Sequence, residues 1–307
     1  MLYRLLYIPS KFALWIYCRF LSINNRKVLS LQGPLLIAAN HPNSFLDAIV
    51  LSSLFKQPIY SLARGDAFTN QFHGKLLRSM NMLPVYRITE GVENLENNYE
   101  TFDACKEIFK KNGIVLIFSE GRCINVWRLR PLMKGTARLA LSSWHDGIPL
   151  NILPLGINYQ SFRSFGKNIH LNFGNIISEK NIPSNEGYGK TINEFNDKLR
   201  SELKSLVIEI VPAENEKVRA IFFIKQPVLK QALLFIPALA GYFLHAPLYI
   251  PIKILATKID GDNDHFDSLV VGLLFILYPF YLLMIGLLVY WLTGGFWWMA
   301  VFILSVS

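Results

Sequence analysis

Pro34-Leu35-Leu36-Ile37-Ala38-Ala39-Asn40-His41-Pro42-Asn43-Ser44-Phe45-Leu46-Asp47 is the stretch on which the fold turns. Its first half is apolar and uncharged, which reads as a strand buried on both faces, as in a sheet covered by helices on each side. Asn40 to Asn43 are turn-forming, and Ser44-Phe45-Leu46-Asp47 has the pattern that opens a helix. His41 and Asp47 lie six positions apart, about 240° around a regular helix, so they cannot share one helical face. His41 is therefore expected in the loop leaving the strand, with Ser44 at the N-cap and Asp47 at the third helical position. The loop would fold the imidazole back over the helix start. In that geometry Asp47 accepts from one ring nitrogen and leaves the other free as a general base. A capping box alone would explain Asp47 but not His41.

The same alternation continues outward. Strands are expected at 34–39, 58–63, 82–86, 114–119, 150–157 and 168–173, and helices around 45–55, 68–80, 92–111, 132–145 and 191–209. Strand and helix in turn define an α/β domain, a mixed sheet flanked by helices. Asn181 to Lys190, rich in Asn, Gly, Pro and Ser, reads as a surface loop.

Composition then divides the 307 residues. Of 31 basic residues only Lys253 and Lys258 lie beyond Lys230, and of 22 acidic ones only Asp260, Asp262, Asp264 and Asp267. Gln231 to Ile252 and Ser268 to Ser307 carry no charge, and a bilayer-spanning helix needs about 20 residues. The expected organisation is a membrane-associating arm over 1–32, an α/β domain over 33–228 and a C-terminal membrane segment over 229–307. That last segment holds about two spans and a short apolar tail. Pro237, Pro247 and Pro251 leave a re-entrant element as the alternative for the first span. Lys217, Arg219, Lys225 and Lys230 precede it, which places the α/β domain on the cytoplasmic side.

The N-terminal arm mixes apolar residues with Arg4, Lys11 and Arg19, and the first acidic residue of the chain is Asp47. An interfacial helix or helical hairpin fits, with packing on the protein's own body as the plainer alternative. No small-residue cleavage site follows, which speaks against a signal peptide. The net charge of +9 suits an anionic membrane surface or an anionic substrate. Nucleic acid is disfavoured, because no basic run interleaved with aromatics occurs. Cys18, Cys105 and Cys123 are too few and scattered for a disulfide framework, and a reducing compartment is expected. The histidines lack metal-binding spacing, so no metal is expected.

Three further pieces accompany the opening stretch. The apolar run Ile114 to Phe118 delivers Ser119-Glu120-Gly121-Arg122, where glycine permits close backbone approach and arginine can clamp a phosphate. Leu83-Pro84-Val85-Tyr86-Arg87 is again a strand ending in arginine. Arg130-Pro131-Leu132-Met133-Lys134-Gly135-Thr136-Ala137-Arg138 opens a helix and is followed by Leu153-Pro154-Leu155; its basic residues fit an ordinary solvated helix face. No GxSxG elbow is present, which argues against a serine hydrolase.

These four pieces, in this order over roughly 33–160, resemble the four motif blocks of the glycerolipid acyltransferases, the PlsC-like family. That family's first block is usually His, four residues, Asp. This chain has five between, similar to the fungal glycerol-3-phosphate and dihydroxyacetone-phosphate acyltransferases, which also have C-terminal membrane segments. In the third block Ser119 stands where the family has proline, and Arg122 follows Gly121 directly, so Arg128 and Arg130 are the other candidates for the block's arginine. The resemblance implies acyl transfer from a thioester, acyl-CoA or acyl-carrier protein, to a hydroxyl of 1-acylglycerol 3-phosphate, making phosphatidic acid. Glycerol 3-phosphate, dihydroxyacetone phosphate or another lysophospholipid is the alternative acceptor. It further implies His41 and Asp47 as catalytic residues, and Arg87, Glu120, Gly121, Arg122, Asn43 and Ser44 as substrate-binding ones. No cofactor is implied beyond the acyl donor. The competing reading from another class is a catalytically silent, membrane-anchored lipid-binding protein.

Overall fold

A computed structural model of the chain describes residues 2–86, 97–182, 187–211, 214–261 and 264–306. It divides into two compact units, Met1–Arg219 and Ala220–Ser307.

Every residue of β2 (Leu35–Ala39) is buried, because it lies mid-sheet with covered faces. It pairs in parallel with β5 (Ile114–Phe118) on one side and β6 (Asn151–Tyr159) on the other. Beyond β5 come β3 (Ile59–Arg64) and β4 (Met82–Val85), both parallel. Beyond β6 comes β7 (Lys167–Phe173), antiparallel to β6. The edge strand β1 (Cys18–Ile23) runs parallel to β7. The sheet therefore has seven strands in the order β1-β7-β6-β2-β5-β3-β4, mixed as expected.

The alternation of side chains along each strand splits the core in two. Leu36, Ala38, Val115, Ile117 and Ile152 join one cluster with α4 (Asn97–Lys110), α5 (Gly135–His145) and α6 (Tyr188–Leu206). Cys105, Phe109, Trp144, Phe195 and Leu199 fill it. Full burial of a leucine, isoleucine, valine or phenylalanine among them contributes about 1.5–3 kcal/mol. The other set, Leu35, Ile37 and Ala39, lies outside that cluster. α2 (Ser44–Leu54) buries Leu46, Val50 and Leu51, and α3 (Gln71–Ser79) follows β3.

The six expected strands all occur, within one or two residues of their expected ends. β1 was not expected: residues 18–23 fell inside the arm over 1–32. As an edge strand it is only partly covered and carries Arg19, so it shows no alternating pattern to betray it. The rest of the arm is a helix, α1 (Leu2–Tyr17). It docks by its tyrosines: Tyr3 Oη donates to the Ser52 carbonyl (3.2 Å) and accepts from the Ile59 N–H (3.1 Å), and Tyr7 Oη donates to the Phe55 carbonyl (3.2 Å). Leu5, Ile8, Phe12 and Trp15, spaced by three, four and three residues, stay exposed along α1. The helix thus packs on the body, the plainer of the two expectations, and presents an apolar stripe outward.

α7 (Asn215–Phe222) bridges the unit boundary in sequence. The second unit contains α8 (Val228–Asp260), α9 (Phe266–Thr293) and α10 (Phe296–Val306). α8 and α9 are long and apolar enough to cross a membrane. α8 runs through Pro237, Pro247 and Pro251 as one helix, in place of the re-entrant alternative. Its 33 residues span about 50 Å at 1.5 Å each, more than the roughly 30 Å of a bilayer core. The charge-free part, 231–252, matches that thickness better. Pro247 lacks the N–H that would serve the Phe243 carbonyl. One residue on, Tyr281 of α9 donates to the Leu244 carbonyl at 2.5 Å.

Candidate active site

β2 and β5 are parallel neighbours, so the chain segments leaving their C-terminal ends meet at one edge of the sheet, the usual site of chemistry in open α/β sheets. Asn40-His41 leaves β2 and Ser119-Glu120-Gly121 leaves β5. The Ser119 N–H donates to the Ala39 carbonyl (2.9 Å), which holds the two exits side by side. Asn40 fixes the first exit to β6: its Nδ2 donates to the Ile157 carbonyl (3.0 Å) and its Oδ1 accepts from the Ile157 N–H (2.7 Å).

His41 Nδ1 lies 2.8 Å from Asp47 Oδ2. A carboxylate only accepts, so Nδ1 carries the proton and the neutral ring presents the lone pair of Nε2. The same Oδ2 accepts from the Asn43 N–H (2.9 Å). The helix-capping and imidazole-orienting readings of Asp47 are therefore both realised, on one oxygen. The helix begins one residue earlier than expected: Ser44 is its first residue rather than its N-cap, and Asp47 its fourth. Asp47 is fully buried, and its other oxygen has no hydrogen-bond partner among the described residues.

The imidazole is held from a second direction. The ring of Phe118, the last residue of β5, stacks on it with centroids 3.8 Å apart and planes within 8°. No local pattern marks Phe118, because the stack exists only through the pairing of β2 with β5.

Glu120, expected to bind substrate, is buried and braces the turn that carries His41. Its Oε2 accepts from the His41 N–H (3.0 Å) and from an Arg130 Nη (3.1 Å), and its Oε1 accepts from the Arg130 N–H (2.7 Å). Arg130 also donates to the Arg122 carbonyl. Arg130 thus takes the arginine place beside Glu120, and the expectation of a solvated helix face does not hold for it. Breaking such a buried pair typically costs about 3–5 kcal/mol. Gly121 sits at φ +73°, and a Cβ there would come within 2.9 Å of Met133, so the turn requires glycine. Arg122 is exposed and makes no ion pair among the described residues. Asn43 is buried beneath the turn, which removes it from the substrate-facing surface. Ser44 sits in the left-handed region at φ 50°, a conformation costing a residue with a Cβ about 1–3 kcal/mol. Arg87 lies outside the described residues. The strand that leads to it is clamped at Tyr86, whose N–H and carbonyl bond the Asn98 side chain at 2.8 and 2.9 Å.

A buried carboxylate bonded to one nitrogen of an imidazole leaves the other nitrogen unspent, an arrangement that can draw a proton from a hydroxyl. Residues 21–158 match the model of the Acyltransferase family, the segment that holds β2, β5 and all these side chains. The chain thus carries an Acyltransferase domain over these residues and is an acyltransferase. Among solved structures, a similar one is that of the 1-acyl-sn-glycerophosphate (LPA) acyltransferase PlsC from Thermotoga maritima. The two are 12% identical with a TM-score of 0.46, over 66% of this chain and 78% of that one. The comparison with curated proteins finds no match.

Proposed function

We propose that the protein is a membrane-bound glycerolipid acyltransferase that moves a fatty acyl group from acyl-CoA or acyl-carrier protein to 1-acylglycerol 3-phosphate, forming phosphatidic acid. The observation that carries this reading is the 2.8 Å contact of His41 Nδ1 with buried Asp47, which leaves Nε2 as the base. Nε2 takes the acceptor's hydroxyl proton as the oxygen attacks the thioester carbonyl. The tetrahedral intermediate collapses, the C–S bond breaks, and the imidazolium returns the proton to the departing thiolate. Asp47 stabilises the imidazolium between the two transfers. General-base catalysis contributes about 10²- to 10⁴-fold in rate, and positioning supplies much of the rest. Arg122 and Arg87 are the candidates to hold the acceptor phosphate.

Membrane association is supported by α8 and α9 and by the exposed stripe Leu5, Ile8, Phe12 and Trp15 beside Arg4 and Lys11, a pattern suited to an anionic lipid surface. The basic residues before α8 favour a cytoplasmic domain. Glycerol 3-phosphate is the second acceptor reading, favoured by the five residues between His41 and Asp47.

The test is His41→Ala in purified full-length protein, offered acyl-CoA with each acceptor in turn. Acyl transfer should fall to background while membrane retention is unchanged. Full activity in that variant would remove His41 as the base, and a wild-type protein that binds lysophosphatidate without consuming thioester would favour the silent lipid-binding reading.

A further inference from the structure

We infer that residues 123–125 form a strap that holds His41 in register with Asp47, with Cys123 and Asn125 as positioning residues; this rests on the general-base reading above. The six-position separation of His41 and Asp47 forces the chain to reverse between them, and the reversal places Ser44 in the left-handed region. A side chain with a Cβ disfavours that conformation, so the turn needs outside support.

Three hydrogen bonds reach the turn from this one short segment. The Ile124 N–H donates to the His41 carbonyl (3.2 Å), Asn125 Nδ2 donates to the Pro42 carbonyl (2.7 Å), and the Ser44 N–H donates to Cys123 Sγ (2.9 Å). The backbone of the base is thereby gripped at both ends, since Glu120 takes the His41 N–H and Ile124 serves its carbonyl. The strap is itself anchored just beyond. Trp127 Nε1 donates to the Tyr159 carbonyl at the end of β6 (2.7 Å), and the Trp127 carbonyl accepts from the Ile210 N–H (2.9 Å). With the backbone fixed, the imidazole has one resting place, between the Phe118 ring and the Asp47 carboxylate. Loosening the strap lets the ring swing away from Asp47 without touching the surface that receives substrate.

The experiment is steady-state kinetics on the full-length protein with Asn125→Ala, Cys123→Ala and Cys123→Ser, using acyl-CoA and both acceptors. Asn125→Ala should lower kcat by about 10- to 100-fold with KM values unchanged, the scale set by small misplacements of catalytic groups. The double variant with Asp47→Asn should be no slower than Asp47→Asn alone, because both changes act through the same imidazole. Cys123→Ser keeps an acceptor for the Ser44 N–H and should retain more activity than Cys123→Ala. This pair decides the matter should Asn125→Ala fail to fold. A raised KM with kcat intact, losses that multiply in the double variant, or equal activity of the two Cys123 variants would overturn the strap. Full activity of His41→Ala would instead defeat the general-base reading. An inactive His41→Ala beside a fully active Asn125→Ala would defeat the strap alone.

Discussion

Leu35–Ala39 and residues 232–236 of α8 are both built from uncharged apolar residues, yet Leu36 is 0% exposed whereas Leu233 is 68% and Ile236 75% exposed. In the α/β unit such residues are covered by helices, and the strand ends they fix carry the chemistry. In the second unit the chain provides no cover for them. An apolar surface that a protein leaves bare over two long helices needs another solvent, and lipid supplies it under the proposed function. Hydrophobicity thus has two meanings within one chain, and only the surroundings tell them apart.

The sharpest way to break this contrast is a matched pair of truncations. Leu36→Ala should destabilise the α/β unit by about 2–5 kcal/mol, the usual cost of a core cavity. Leu283→Ala, at a position 51% exposed in α9, should stay within about 0.5 kcal/mol. Limited proteolysis over a temperature series in bilayers reads both, and equal losses would end the distinction. Next comes Ile276→Lys, also exposed in α9. It should oppose insertion by about 2.5–3.5 kcal/mol, seen as a larger fraction extracted by alkaline carbonate. An unchanged membrane fraction would mean that α9 does not face lipid.

The smallest expected effect is at Cys105. Burial against the sheet pushes its thiol up to about 12, so at pH 8 it holds almost no thiolate and should resist alkylation in the folded protein. Cys18 and Cys123, both half-buried, should react faster. Mass spectrometry of the labelled peptides reads the order, and prompt labelling of Cys105 would show that α4 is loosely packed.

The strands of the α/β unit were legible because each is short, apolar and bounded by turn residues. β1 escaped because an edge strand needs no alternating pattern. Within the site, His41 and Asp47 were legible as a pair from their loop-to-helix spacing. Glu120 and Arg130 were legible only as separate candidates and not as partners, since a buried ion pair ten residues apart leaves no periodic trace.

By itself the sequence determined the alternation of strand and helix, the charge-free spans, and the loop that excludes His41 and Asp47 from a common helical face. These depend on local periodicity and composition, which a linear chain carries in full. Tertiary structure alone decided that Phe118 stacks on His41, that Glu120 joins the base to Arg130, and that residues 123–125 grip the turn. Each of those contacts spans a sheet pairing or a loop closure, and the energy that selects it exists only once β2 and β5 lie side by side.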